Sequence, residues 1–116
     1  MFKFLSQMFK TRKSELEAKL QPINGHPGWG EIELSEYSDG SIKMEVEYKG
    51  ATITDGDTMD VVIGGENVAY ATVTNGQVHE DMTSASGIDL PKVLVGDVVE
   101  LVHGGETVAR GTFHPD

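Results

Sequence analysis

A stretch of 22 residues occurs twice in this chain, at a constant offset of 40 positions and without a gap. Residues 55–76 have the sequence DGDTMDVVIGGENVAYATVTNG, and residues 95–116 have the sequence VGDVVELVHGGETVARGTFHPD. Both copies carry a Gly-Asp pair near their start and a Gly-Gly-Glu tripeptide in their middle. A repeated unit of this size is one supersecondary element that needs neighbours to bury its apolar face. The repeat therefore predicts two equivalent substructures packed together.

Each copy has the residue pattern of a β-hairpin. Apolar and polar residues alternate in two runs per copy, which predicts two short strands with one buried face each. Consecutive glycines separate the two runs, and hairpin turns favour Gly because their central residues adopt positive φ. The predicted strands are 58–63 and 68–74 in the first copy, and 98–103 and 107–113 in the second.

The aligned copies also indicate which strand face is buried. Tyr70 of the first copy corresponds to Arg110 of the second, so this position is expected to face solvent, as are Asp60 and Glu100. Small residues on the opposite face would allow a neighbouring strand to approach closely. The expected inward sets are Met59, Val61, Ile63, Ala69, Ala71 and Val73 in the first copy, and Val99, Leu101, His103, Ala109, Gly111 and Phe113 in the second.

Strand-like alternation continues outside the repeat, most regularly over residues 41–49. Residues 31–116 are therefore predicted to form an all-β domain. The expected fold is a small antiparallel β-sandwich or barrel of about seven or eight strands, built on the two repeated hairpins. Trp29, the single tryptophan, precedes the first of these strands and is expected to plug one end of the core.

The N-terminal residues have a different period. Their apolar side chains recur at spacings of three and four, which predicts an amphipathic helix over residues 1–21. A linker rich in Pro and Gly follows over residues 22–30 and separates this helix from the β domain. The apolar face of the predicted helix consists of Phe2, Leu5, Met8, Phe9, Leu16 and Leu20.

Net charge and the distribution of apolar residues limit which partners and which cellular compartment are expected. The net charge is −10, although five of the nine Lys and Arg residues fall within residues 1–20. The remainder is so acidic that nucleic-acid binding is not expected. No run of apolar residues is long enough for a transmembrane helix, and the N-terminus does not have the pattern of a signal peptide. The expected compartment is the cytoplasm.

The predicted helix over residues 2–20 is the most suggestive functional element. Three roles are compatible with its apolar and basic faces. It could pack on its own domain, associate with another protein or a second copy of this chain, or lie on an anionic membrane surface. We expect association with a protein partner or with itself, and peripheral membrane contact is the less favoured alternative.

Acidic residues in the first copy suggest a second kind of site. Carboxylate oxygens are the ligands that Ca²⁺ prefers, although the spacing here departs from that of an EF-hand loop. Otherwise the sequence lacks the spacing of a nucleophile motif, a phosphate-binding loop or a zinc site, so we expect no enzymatic activity. The candidate cation ligands are Asp55, Asp57, Asp60 and Glu66.

These patterns lead to one principal hypothesis and one alternative. The principal hypothesis is a non-catalytic protein-binding or self-assembly module, with the N-terminal helix as the contact element and the acidic β domain as its platform. The alternative is an acidic domain that binds Ca²⁺ or a small ligand.

Overall fold

A computed structural model describes residues 11–116 of the chain, which form nine β-strands and one short 3-10 helix at Ser84–Ser86. All strand pairings among these residues are antiparallel. The strands are β1 (Arg12–Pro22), β2 (Trp29–Tyr37), β3 (Ile42–Lys49), β4 (Thr58–Ile63), β5 (Glu66–Thr72), β6 (Val78–Thr83), β7 (Val98–His103), β8 (Glu106–Thr112) and β9 (His114–Pro115).

The strands form one curled sheet that makes a nearly closed barrel. Their order is β5-β4-β7-β8-β1-β2-β3-β6, and β9 pairs with β1 beside this path. The two end strands, β5 and β6, face each other across a gap that we call the seam. A backbone bridge between Thr74 and Gln77 connects them at one end. The prediction of an all-β antiparallel barrel or sandwich is confirmed.

The predicted helix is wrong for residues 12–20, because these residues belong to strand β1. This strand pairs with β2 from Arg12 to Leu20 and with β8 at Gln21 and Pro22. Its alternate residues Leu16 and Leu20 are buried in the barrel core, and Leu20 is only 1% exposed. The barrel therefore extends back to Arg12, and residues 2–10 of the predicted helix lie outside the described residues.

The two sequence copies adopt equivalent conformations. In the first, the Gly56 N–H donates to the Val73 carbonyl at 2.9 Å, and in the second the Gly96 N–H donates to the Phe113 carbonyl at the same distance. Each hairpin also has a register shift at the same position, between Val61 and Val62 or between their counterparts in β7. The two hairpins meet through β4 and β7, where Val61 lies opposite its own counterpart Leu101.

The inward-facing residues predicted from the repeat are buried, with two partial exceptions in the second copy. Gly111 is half-buried, and His103 points its Nε2 to within 3.1 Å of Asp57 Oδ2 at the barrel end. The expectation for Trp29 is wrong. This side chain is 63% exposed, and the Lys49 ammonium lies 5.4 Å from its ring centroid.

Candidate functional site

The four predicted cation ligands do not converge on one point. Asp55 Oδ1 accepts the Asn75 N–H at 2.6 Å, so it stabilises the turn at the end of β5. Asp57 lies beside His103 instead. Glu66 begins β5 opposite Ile63, at the far end of the hairpin from both aspartates. Asp60 lies between these ends, half-buried in β4.

Carboxylates converge instead on the outer surface of β1, β2, β3 and β6. Glu17 lies opposite Glu33, Glu33 opposite Glu45, and Glu45 opposite Asp81. A row of acids therefore crosses four neighbouring strands, although like charges placed directly opposite each other destabilise a sheet. We call this surface the acidic face, and it consists of Glu15, Glu17, Glu31, Glu33, Glu45, Glu47, Asp81 and Asp116.

The acidic face contains a few compensating lysines. Lys19 Nζ lies 2.9 Å from Glu17 Oε1 and 3.7 Å from Glu31 Oε2. Glu17 is only 8% exposed, so the adjacent lysine stabilises a carboxylate that has lost most of its hydration. On β3, Lys43 Nζ lies 2.8 Å from Glu45 Oε1.

The ionisation of the acidic face reflects this crowding. Hydrogen bonding with Lys19 lowers the pKa of Glu17. Burial raises the pKa of Glu31 and of Glu33, and the neighbouring carboxylates raise both further. The pKa of Asp116 is raised to about 6, mainly by hydrogen bonding with Glu17. The face therefore favours the neutral form of some of its carboxyl groups.

Two overlapping groups of side chains on this face have the chemistry to hold a hard cation. In each group, one oxygen from each of three carboxylates lies within 4.8 Å of the others. Oxygen ligands of this kind suit Ca²⁺ or Mg²⁺. The groups are Glu15, Glu33 and Asp116, and Glu17, Glu31 and Glu33.

The sequence analysis missed these residues because they are far apart along the chain. A signal was present in the alternate acids of β2 and β3, at Glu31, Glu33, Glu45 and Glu47. Pattern alone indicates a solvated strand face for such residues, and only the strand register places their carboxylates opposite one another. Asp116 reaches the face because β9 pairs with β1.

The seam between β5 and β6 contains the second candidate surface. A cleft of about 420 Å³ lies there, and its lining includes the exposed side chains of Tyr70 and Ile88. Tyr70 is 66% exposed, so most of its ring is accessible beside the cleft. The lining residues are Asn67, Val68, Ala69, Tyr70, Met82 and Ile88.

The two copies of the repeat differ in what covers their outer strands. β8 of the second copy pairs with β7 on one edge and with β1 on the other. Its counterpart β5 pairs with β4 on one edge and ends the strand order on the other. Among residues 11–116, the outer edge of β5 therefore has no pairing strand over the length of the cleft.

Other exposed apolar residues lie at a second point where the copies differ. Leu94 and Val95 are both strongly exposed, and they correspond to the polar residues Thr54 and Asp55 of the first copy. The backbone is the same in both places, since Asp97 N–H donates to the Leu94 carbonyl as Asp57 N–H donates to that of Thr54.

The predicted partner-binding residues divide into two groups. Leu16 and Leu20 belong to the barrel core and are not available to a partner in the folded domain. Phe2, Leu5, Met8 and Phe9 lie outside the described residues. Any contact made by the N-terminal segment therefore depends on residues 1–10, whose apolar residues are accompanied by Lys3 and Lys10 and by no acid.

Comparison with known proteins assigns no family to this chain: no family model and no curated protein matches it. Across residues 11–116, no helix has the length and apolar character needed to cross a membrane.

Proposed function

We propose that this protein is a non-catalytic protein-binding and self-assembly module. The barrel is the platform, and the segment before it, residues 2–10, is the contact element. The observation that carries the proposal is the uncovered edge of β5 beside an apolar cleft, in a repeat whose second copy has the equivalent edge covered by β1. Uncovered strand edges are ready sites for pairing with another chain.

Charge supports the same proposal. The whole chain carries a net charge of −10, whereas residues 1–10 carry two lysines and no acid. A segment with Phe, Leu and Met side chains between lysines combines apolar contact with attraction to an acidic platform. This attraction would weaken as salt concentration rises, because mobile ions screen exposed charges.

Removing residues 1–10 tests the proposal without touching the barrel. We expect the full chain to associate, with a mass in light scattering above the monomer value of 12.6 kDa. The variant that begins at Thr11 should remain a monomer with an unchanged melting temperature. A synthetic peptide of residues 1–10 should bind to this variant, more weakly at high salt.

The extent of the deletion matters in this experiment. Removal of residues 1–20 would delete most of β1, which pairs with both β2 and β8, and would unfold the barrel. The proposal is wrong if the full chain and the variant beginning at Thr11 have the same monomeric mass and the peptide does not bind.

Cation binding is a second candidate function, and the two convergent carboxylate groups of the acidic face favour it. Ca²⁺ at 100 times its dissociation constant would add about 2.7 kcal/mol to the free energy of unfolding. We expect a higher melting temperature in Ca²⁺ than in chelator, and loss of this difference in Glu33→Gln, because Glu33 belongs to both groups.

Asp55→Asn is the matched control, because Asp55 belongs to neither convergent group and should leave the Ca²⁺ effect intact. Equal melting temperatures in Ca²⁺ and in chelator would eliminate this second candidate.

A further inference from the structure

We propose that the edge of β5 is the acceptor site for self-assembly, and that its occupant is residues 2–9 of a second copy of this chain, added as an antiparallel strand. This inference rests on the proposed function and names the surface that the contact element binds.

In the second copy of the repeat, the strand equivalent to β5 already pairs with an added strand along its outer edge. At β8, the incoming residues Gln21 and Pro22 lie opposite Arg110 and Ala109, and the Ile23 N–H donates to the Val108 carbonyl at 2.9 Å. These contacts use the edge of a strand whose conformation β5 reproduces. The equivalent positions on β5 are Val68, Ala69 and Tyr70, so a strand can add there with the same antiparallel hydrogen bonds.

The edge of β5 directs backbone hydrogen-bonding groups into the seam, where an added strand would lie. The Thr72 N–H points into the seam and donates to Glu80 Oε1 at 3.2 Å. Alternate residues of a strand direct their backbone groups to the same side, so the N–H and carbonyl of Tyr70 also point into the seam. β5 contains no Pro or Lys, which are residues that commonly protect strand edges.

The surroundings of the cleft match the chemistry of residues 1–10. Val68, Tyr70, Met82 and Ile88 provide an apolar floor for Phe, Leu and Met side chains. The adjacent lining at the same end of β5 contains Glu66 and Asp89, and Glu80 lines the other end of the seam. An occupant with apolar residues and lysines but no acid is complementary to this surface, and residues 1–10 have that composition.

The position of Thr11 favours a second copy over the same molecule. Thr11 is held at the β2 end by the Thr11 N–H bond to Ser38 Oγ at 3.1 Å and by the Ser38 N–H bond to the Thr11 carbonyl at 2.7 Å. A path from there to β5 crosses β2, β3 and β6, or about 19 Å at a strand spacing of about 4.8 Å. That path would use about six extended residues. About four residues would remain to pair with β5 in the same molecule, whereas a second copy can place all of residues 2–9 along this edge.

Tyr70→Arg in the full chain is the principal test. The substitution installs the residue that the second copy holds at the same backbone position, Arg110, so the fold should tolerate it. It removes the aromatic contact and places a positive charge against the lysines of the incoming segment. We expect association to weaken at least about tenfold, with the melting temperature of the dilute monomer unchanged.

Leu94→Thr is the matched control for Tyr70→Arg. Leu94 is equally prominent on the surface, and Thr54 occupies the same position in the first copy. This substitution removes exposed apolar surface from a residue that does not line the cleft, so association should be unchanged.

A mixing experiment separates the donor from the acceptor. Tyr70→Arg retains an intact segment, and Leu5→Asp retains an intact β5 edge. We expect each variant alone to be monomeric in light scattering and the equimolar mixture to form a complex of two chains. Amide hydrogen exchange should show protection of Tyr70 in the wild-type protein that increases with protein concentration.

The outcomes distinguish this inference from the proposed function. If the wild-type chain associates and Tyr70→Arg associates equally well, the acceptor lies elsewhere, and the inference fails while self-assembly stands. If Tyr70 is protected at every concentration in a monomeric chain, the segment occupies the seam of its own molecule, and the second-copy occupant is wrong. If the wild-type chain neither associates nor binds the peptide of residues 1–10, both proposals fail.

Discussion

At the scale of single residues, the repeat provides an internal comparison. Gly111 of β8 and Ala71 of β5 are equivalent positions, and Ala71 is fully buried. A Cβ atom added at Gly111 would lie 2.3 Å from the Lys19 carbonyl oxygen, because β1 crosses this point. The edge of β5 has no such crossing strand among the described residues. The second copy therefore has Gly at this position because β1 passes close to it, and the first copy, which has no such strand, has Ala.

This comparison predicts that exchanges between the copies are not equally tolerated. Gly111→Ala should lower the free energy of unfolding by about 1–3 kcal/mol, since β1 must move to relieve the contact. Tyr70→Arg, which also installs the residue of the other copy, should change it by less than about 0.5 kcal/mol. Urea denaturation of the monomer measures both values. An unchanged midpoint for Gly111→Ala would contradict the close crossing of β1.

At the scale of elements, β1 shows where pattern reasoning is ambiguous. Leu16 and Leu20 are four residues apart, as on a helix face, but Leu16, Ala18 and Leu20 also alternate as on a strand. Helix propensity favours the first interpretation, since this region is rich in Glu, Lys, Leu and Ala. Pairing decides for the strand: β2 pairs with β1 along its length, β9 pairs with it at Leu16 and Glu17, and all three side chains are buried.

The hairpins of the repeat, in contrast, were predicted with nearly correct bounds. Strands 58–63 and 98–103 agree with β4 and β7, and the returning strands begin one or two residues earlier than predicted. Their signals are local, since alternating residues and consecutive glycines are close along the chain.

At the scale of the whole molecule, the barrel brings acidic side chains together on the acidic face and leaves the seam between β5 and β6 open. Both features depend on the pairing of strands that are distant in sequence, such as β1 with β9 and β3 with β6. The acidic face opposes folding when it is fully ionised, because its carboxylates repel one another.

The raised pKa of Asp116 therefore predicts a pH dependence of stability. The folded protein holds this proton up to a pH of about 6, whereas an unfolded Asp releases it near its ordinary value of 3.8. Stability contributed by the proton is thus complete below pH 3.8 and is lost as the pH rises to about 6. Asp116→Asn should melt at a higher temperature than the wild type at pH 7, with a difference that disappears by about pH 4.

Asp89→Asn is the control for the loss of one negative charge. Asp89 lies on the loop beside the seam and does not belong to the acidic face. Thermal unfolding of the three proteins between pH 3.5 and pH 8 makes the comparison. A difference between Asp116→Asn and the wild type that is equally large at both ends of this range would refute the assignment of Asp116 to the acidic cluster.

The sequence alone determined the all-β class of residues 31–116, the two equivalent hairpins and the buried side of the hairpin strands, because these depend on neighbouring residues and on comparison of the two copies. Only the tertiary structure decided that residues 12–20 form a strand, that carboxylates from four strands form one row, and that the edge of β5 is open. The physical reason is that strand pairing joins residues far apart in the chain, and a one-residue change of register would move each side chain to the other face.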